Sequence, residues 1–263
     1  MNRIVENITD YSALGGVNIS TLIHLGKSPL HYRHAVDRGF ESTPAMRLGI
    51  AIHCAALEPV RFASEYTMTK RVAKGTGREE TELTETQWET VVSTASAIHV
   101  DPLAMDLIRG SRRELALQWT DPESGTACKG RVDAVTQDHK LIDLKTCRDA
   151  SPFGFCSQAA RLEYHTKMAW YADAYELISG HKPEVYVIAV ESAEPFDVVC
   201  YRLEDDPVLD LGRETYRDLL DKLVECRKSN TWHGVGGGNV QKFKLPNWAI
   251  PAEEGDALEG MEY

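Results

Sequence analysis

The chain has 263 residues, 43% of them hydrophobic, enough for one elaborated α/β domain with a full core. No apolar run approaches eighteen residues and Met1-Asn2-Arg3 opens no charged-then-apolar leader, so a soluble, cytoplasmic protein without a membrane partner is expected. The net charge of −11 argues against a generic DNA-coating protein. It leaves room for an enzyme with a local basic channel, because residues 181–263 hold 17 acidic against 9 basic side chains and carry most of the excess.

Near the N-terminus Asp10-Tyr11 leads through Gly15-Gly16 to Ser20, a predicted cap for a helix over Thr21–Gly26. Ser28-Pro29 opens a second helix through Leu30, Tyr32, Ala35 and Val36 to Gly39. His24, His31 and His34 on these short helices read as packing or surface residues. Met46–Glu58, MRLGIAIHCAALE, predicts a helix stopped by Pro59, with Ile50, His53, Cys54 and Leu57 on its buried stripe. The polar run Thr69–Thr84 predicts a loop whose Lys70, Arg71, Lys74 and Arg78 either meet phosphates or are simply solvated. Thr84 and Gln87 form a capping box for a helix to Val100, with Trp88, Val91, Val92, Ala95 and Ile98 as its apolar stripe.

Glu114–Trp119 alternates as a strand, and Asp121-Pro122-Glu123-Ser124-Gly125 turns the chain into the most informative stretch. There Arg131–Val135 and Leu141–Lys145 flank a polar linker, the pattern of a β-hairpin. A turn centred near Asp138 sets Ala134 against Ile142, Val132 against Leu144 and Asp133 against Asp143. Val132, Ala134, Ile142 and Leu144 then make one apolar face, while Arg131, Asp133, Asp143 and Lys145 collect on the other. Two opposed carboxylates cost stability unless a cation lies between them, and Mg²⁺ binds through such pairs. Lys145, on the same face, can place an ammonium beside a phosphate or an attacking water. The alternative is a solvated hairpin face on which Asp133 pairs with Lys145.

Further on, Gln158–Ser179 predicts a long helix with Tyr164, Lys167, Tyr171 and Tyr175 close to one side. Glu184–Glu191 and Asp197–Leu203 predict core strands, and Pro207–Lys228 an amphipathic helix. Gly234–Gly238 predicts a flexible link to a tail in which Phe243 and Trp248 can dock on this subunit or a neighbour. The six cysteines, Cys54, Cys128, Cys147, Cys156, Cys200 and Cys226, lack C-x-x-C spacing and read as reduced, mostly buried thiols.

Asp133 followed by Asp143-Leu144-Lys145 resembles the D…(D/E)-x-K signature of PD-(D/E)XK nucleases. The run ISTLIHLGKSPLHYRHAV resembles the N-terminal region of RecE-type (exonuclease VIII) exonucleases, and Gly49, His53, Leu57, Glu58 and Pro59 resemble their G-x-x-x-H-x-x-x-L-E-P helix. Glu114 through Asp133 resembles their glutamate, strand, turn and G/C-R-P-D segment, with Val132 in place of the usual proline. Their Q-x-x-x-Y pair aligns with Lys167 and Tyr171, and the LPNWA words near Trp248 resemble their terminus. The likeness runs in one register from about Tyr11 to Trp248.

That resemblance implies an α/β, restriction-endonuclease-like fold, a mixed central β-sheet flanked by helices, with residues 1–233 as one nuclease domain bearing an N-terminal helical elaboration and 234–263 as link and tail. It implies a metal-dependent, processive 5′→3′ exodeoxyribonuclease acting on linear double-stranded DNA ends, phage or prophage borne. Its metal ligands are expected at His53, Asp133, Asp143 and the Leu144 carbonyl, holding one or two Mg²⁺, with Mn²⁺ as a substitute. Catalysis is expected from Lys145, Asp133, Asp143 and Glu114, and DNA contact from Arg131, Lys167 and Tyr171. Lysine cannot accept a hydrogen bond as glutamine does, so a water-holding role does not carry over to Lys167. A homo-oligomeric ring, trimeric or tetrameric, and a single-strand annealing protein are the implied partners. A PD-(D/E)XK endonuclease and a non-catalytic DNA-end-binding scaffold are the alternatives.

Overall fold

Three strands read from alternation form the centre of the sheet, each longer than its pattern suggests. The computed structural model describes residues 2–6, 11–39, 42–70, 80–246 and 249; Asp10, Arg71, Lys74, Arg78 and Trp248 lie outside them. The chain begins with β1 (Arg3–Val5), β2 (Val17–Asn18), α1 (Ile19–Leu22), α2 (His24–Lys27), α3 (Pro29–Arg38) and α4 (Pro44–Leu57). It continues through α5 (Pro59–Glu65), β3 (Thr67–Thr69), β4 (Glu82–Thr84), α6 (Glu85–Val100) and α7 (Pro102–Ile108). Then come β5 (Arg112–Thr120), β6 (Ala127–Val135), β7 (Lys140–Cys147), α8 (Pro152–Arg161), α9 (Tyr164–Ser179), β8 (Glu184–Glu191), β9 (Val198–Leu203) and α10 (Asp210–Ser229).

The main sheet runs β1-β5-β6-β7-β8-β9, with β2 added in parallel to β6. All neighbours on that path are antiparallel except β7 and β8, which are parallel. Parallel neighbours need a crossover, and α8 and α9 supply it. The expected mixed α/β sheet flanked by helices is therefore present. On one face α9 packs over Leu115, Leu117, Val132, Leu141, Val185 and Val187, and α10 packs on α9. On the other, α4, α6 and α7 cover Ala134, Ile142, Leu144, Ile188 and Val190.

Capping chemistry decides the helix starts. Ser28 and Thr43 each accept a backbone N–H at the third helical position, with Pro29 and Pro44 fitting the first, where no N–H is needed. The capping box of Thr84 and Gln87 is formed. The first helix is capped by Asn18 and not by Ser20, because the Asn18 side chain reaches Thr21 N at 2.9 Å. Pro59 ends α4 and begins α5. Ile50 is 40% exposed, whereas Ala51 and Ile52 are fully covered, so the buried stripe of α4 is rotated from the expected one; Val92 on α6 is likewise exposed.

The helix expected over Gln158–Ser179 is two helices. Glu163 takes a left-handed conformation, φ 56°, which breaks the turn between α8 and α9. Tyr175 is buried and meets His139 Nδ1 at 2.8 Å, away from the other tyrosines of that side. Of the six cysteines, all free, Cys54, Cys128, Cys147 and Cys226 are buried and Cys156 is exposed. No single described helix is long and apolar enough to cross a membrane.

Candidate active site

The β6–β7 hairpin has the expected register, Ala134 opposite Ile142 and Val135 opposite Leu141, but its ladder stops there. Extending the register puts Asp133 opposite Asp143. Instead of a ladder bond, the Asp133 carboxylate accepts the Leu144 N–H at 2.7 Å, so a side chain fills the gap where the strands part. Two carboxylates directly opposed at that rung would be unfavourable as ladder neighbours.

The same rung is interrupted on the other side. The β5–β6 ladder pairs Arg113 with Ala134 and Leu115 with Val132, and skips Glu114 and Asp133 between them. Glu114 has φ 52°, a left-handed strand residue. Side-chain alternation breaks there too. Val132 joins the α9–α10 core while Ala134 joins the opposite one, so the single apolar face expected of Val132, Ala134, Ile142 and Leu144 is divided at Asp133. Glu114, Asp133 and Asp143 thus form one acidic rung across three strands.

Each member of the rung has a cationic neighbour. His53, brought over by α4, lies with Nδ1 3.3 Å from Asp133 Oδ2. Arg131 Nε lies 3.1 Å from Glu114 Oε2, and Lys145 Nζ contacts Asp143 Oδ2 directly. Lys145 Nζ is also 3.5 Å from the Leu144 carbonyl oxygen. A third wall is aromatic and basic. Lys145 and Lys167 stand 5.3 and 5.2 Å from the Tyr164 ring centre, and Arg131 and Lys129 stand 5.5 and 4.8 Å from the Tyr11 ring. Tyr171 packs so closely on β6 that a Cβ at Gly130 would come within 2.9 Å of its ring. Every expected site residue therefore reaches one region.

Burial and mutual charge set the proton affinities. Burial would raise Asp133, but His53, Lys145 and the Leu144 N–H outweigh it and hold the carboxyl down at about 2. Asp143 goes the other way: burial, aided by Asp133, raises it despite Lys145. Glu114 is pushed up to about 7, first by burial and then by Asp133, with Arg131 opposing. Burial alone would lower Lys145, yet facing both Asp143 and Asp133 it is raised. His53 is raised in the same way, its carboxylate neighbours outweighing burial. Lys167 is lowered by burial and by Lys145.

The donor chemistry fits a hard divalent cation. Asp143 is 3% exposed, and the Lys145 ammonium in direct contact with its Oδ2 is its counter-charge. Asp133, Asp143, Glu114, the Leu144 carbonyl and the His53 imidazole are the candidate ligands. Among the described residues no three His, Cys, Asp or Glu side chains converge on one metal position.

Tyr11 and Tyr164 escaped the sequence reading as site residues. Tyr164 had a signal, the three-residue spacing to Lys167; Tyr11 had none, because Lys129 fixes its loop through carbonyls at Tyr11, Ser12 and Leu14, a long-range contact.

A mixed sheet parted at an acidic rung, with a lysine two residues after the second aspartate, defines a protein of the PD-(D/E)XK nuclease superfamily. The chain belongs to the family described as PDDEXK-like domain of unknown function (DUF3799), which matches residues 18–245. Among solved structures, it is similar to a candidate exonuclease from Eubacterium rectale, with a TM-score of 0.63, 12% identity and coverage of 87% of this chain and 90% of that one, a likeness of fold. The structure of SSO0001 matches with a TM-score of 0.31 and 12% identity over 67% of this chain and 86% of that one, too low to carry argument. No curated protein matches the sequence.

Proposed function

We propose that this protein is a metal-dependent exodeoxyribonuclease that digests one strand of linear double-stranded DNA processively, 5′→3′, leaving 3′ overhangs for homologous recombination. The acidic rung of Glu114, Asp133 and Asp143 with Lys145 at its edge is the observation that carries the reading. Nucleases of this superfamily generally use divalent metal ions, and Mg²⁺ is the ion proposed here, with Mn²⁺ as a substitute. Asp133, Asp143, Glu114, His53 and the Leu144 carbonyl would hold one or two of them. Bound there, the ion lowers the pKa of a ligated water and offsets charge growing on the scissile phosphate.

The chain's own groups do the rest. The splayed strands hold both aspartates without mobile loops, since Asp133 is fixed by Leu144 N–H and His53. Lys145, at the edge of the rung, is placed to turn its ammonium to the attacking water or a non-bridging phosphate oxygen, and Asp143 would be one of the residues that hold the cation. Water oxygen bonds to phosphorus as the P–O3′ bond breaks; the water gives up a proton to solvent and O3′ takes one from solvent, so the released nucleotide ends in a 3′ hydroxyl and the shortened strand begins with a 5′ phosphate. No covalent intermediate is needed. Arg131 and Tyr171 border the strand's path.

A homo-oligomeric ring, trimeric or tetrameric, would explain processivity, and Val240 and Phe243, exposed at 101% and 90%, are suited to a subunit contact. A single-strand annealing protein is the proposed partner on the overhang. Six free cysteines agree with a reducing bacterial cytoplasm, the proposed setting of a phage or prophage enzyme.

The test incubates purified protein, with and without Mg²⁺, on linear duplex DNA labelled at 5′ or 3′ ends, beside a closed circle. Metal-dependent loss from 5′ ends with the circle intact supports the proposal. Cutting of the circle replaces it with an endonuclease, and binding without cleavage in Mg²⁺ or Mn²⁺ with a scaffold.

A further inference from the structure

Two ammonium groups share the Tyr164 ring: Lys145 at 5.3 Å from its centre and Lys167 at 5.2 Å, hence no further apart than about twice that. Lys145 has Asp143 beside it. Lys167 has no carboxylate within ion-pair distance among the described residues, although the sequence places a natural one nearby. Glu163 precedes it by four residues, the spacing at which glutamate ordinarily pairs with lysine along a helix. Here φ 56° takes Glu163 out of α9, and its carboxylate accepts Thr166 Oγ1 at 2.7 Å with His165 Nε2 at 3.5 Å.

The helix that carries Lys167 is anchored to β6 one turn further on: Trp170 Nε1 donates to the Lys129 carbonyl at 3.2 Å, and Tyr171 is pressed on Gly130. Lys167 is only half-buried, which leaves its cation reachable from solvent. A reachable cation beside a second cation, with no carboxylate in ion-pair contact and only the more distant charges of Asp143 and Glu163 opposing, gains from a further anion between or beside the two.

We propose that Lys167 is a substrate-binding residue that takes the DNA phosphate adjoining the scissile one, across the Tyr164 ring from Lys145. The inference rests on the nuclease reading above and gives this chain a phosphate contact where the sequences it resembles carry glutamine. Such a contact is made equally in ground and transition states, so it acts on substrate affinity more than on the chemical step.

The experiment compares the full chain with Lys167→Ala, Lys167→Gln and Lys167→Arg. Binding of a fluorescein-labelled linear duplex is measured in EDTA from 50 to 200 mM salt, and cleavage is measured with Mg²⁺. Losing one phosphate contact lowers the slope of log K against log salt by about 0.9. The Ala and Gln variants are expected to show that change and a rise in Kd and KM of roughly tenfold, the worth of one charge-assisted hydrogen bond, with kcat falling less. Arg restores the slope. If Lys167 only packs on the ring, the Ala variant loses thermal stability with an unchanged salt slope, and the proposal is overturned. A wild-type protein that cuts DNA with KM and slope matching Lys167→Ala refutes this inference alone; a wild-type protein that neither binds nor cuts refutes the nuclease reading as well.

Discussion

Glu114 stands opposite Asp133 at the rung that the β5–β6 ladder skips, and it does so with a left-handed backbone, φ 52°. For a residue with a Cβ that conformation costs on the order of 1–3 kcal/mol, and it persists where the surroundings impose it. Glycine adopts it freely. Glu114→Gly is therefore expected to be at least as stable as wild type in urea unfolding while cleaving DNA far more slowly. Glu114→Ala keeps the strain and should be the less stable of the two; the reverse order would show that the conformation is not strained.

The same carboxyl predicts a pH dependence. Its proton affinity is raised from 4.5 to about 7, by burial first and Asp133 second. A carboxyl raised on folding contributes stability that is full below its unfolded value and is lost as pH climbs through the folded one. Metal-free protein should thus lose up to roughly 3 kcal/mol between pH 4.5 and 7 through this group. Asp133, held at about 2, loses its contribution only below pH 3.8, outside that window. Unfolding of Glu114→Gln in EDTA at pH 5 and pH 8 checks this: the difference between the two pH values should shrink relative to wild type.

Asp133 has a structural task beside its proposed chemical one, since its carboxylate accepts the Leu144 N–H at 2.7 Å. Asparagine keeps an acceptor there; alanine leaves a buried N–H unpaired at a cost of roughly 1–3 kcal/mol. Asp133→Asn keeps this bond but loses the charge that His53 and Lys145 favour, so it should lose cleavage and part of the stability, and Asp133→Ala should lose cleavage and more of the stability. Equal stability of the two variants would mean that the rung is not held by this bond.

Much of this site was legible because strand alternation is local. Asp133, Asp143 and Lys145 follow from a turn near Asp138 and a period of two, and the register they imply is the one observed. The break at Glu114 was not legible: its left-handed φ of 52° falls at a rung shared with Asp133 from another strand, a long-range relation that no local pattern encodes. The division of the Gln158–Ser179 helix at Glu163 was hidden for a related reason, as glutamate favours helices and the hydrogen bond to Thr166 that accompanies the break is a detail of its turn. The edge strand Arg3–Val5 and β2, three and two residues long, are too short to show a period.

The cysteines give an independent check on the packing. Burial raises the Cys54 and Cys147 thiols to about 11 and the Cys128 thiol to about 12, while Cys156 is exposed on α8. A disulfide reagent at pH 8 should find one fast thiol in the native protein, removed by Cys156→Ser, with half-buried Cys200, raised to about 11 by burial, slower and the four buried thiols reacting only on unfolding. A fast phase that survives Cys156→Ser would place another cysteine at the surface.

The contact between Lys145 and Asp143 makes the two residues interdependent. Asp143→Ala strips the buried ammonium of its direct partner, and Lys145→Ala leaves Asp143 facing Asp133 with only the more distant His53 as counter-charge. Removing one partner of a buried pair costs roughly 3–5 kcal/mol, whereas replacing both by groups of similar volume is often neutral. Each single variant should thus lose stability as well as cleavage, the latter by at least roughly 10²-fold. Asp143→Asn with Lys145→Met should recover most of the stability and none of the activity. Residues acting as one unit are not additive, so the double variant should be no slower than the worse single one. Unfolding and cleavage measured on all four proteins separate the two roles: a double variant as unstable as the summed singles would mean that the pair is not coupled, and a single variant with full cleavage would remove that residue from the proposed mechanism.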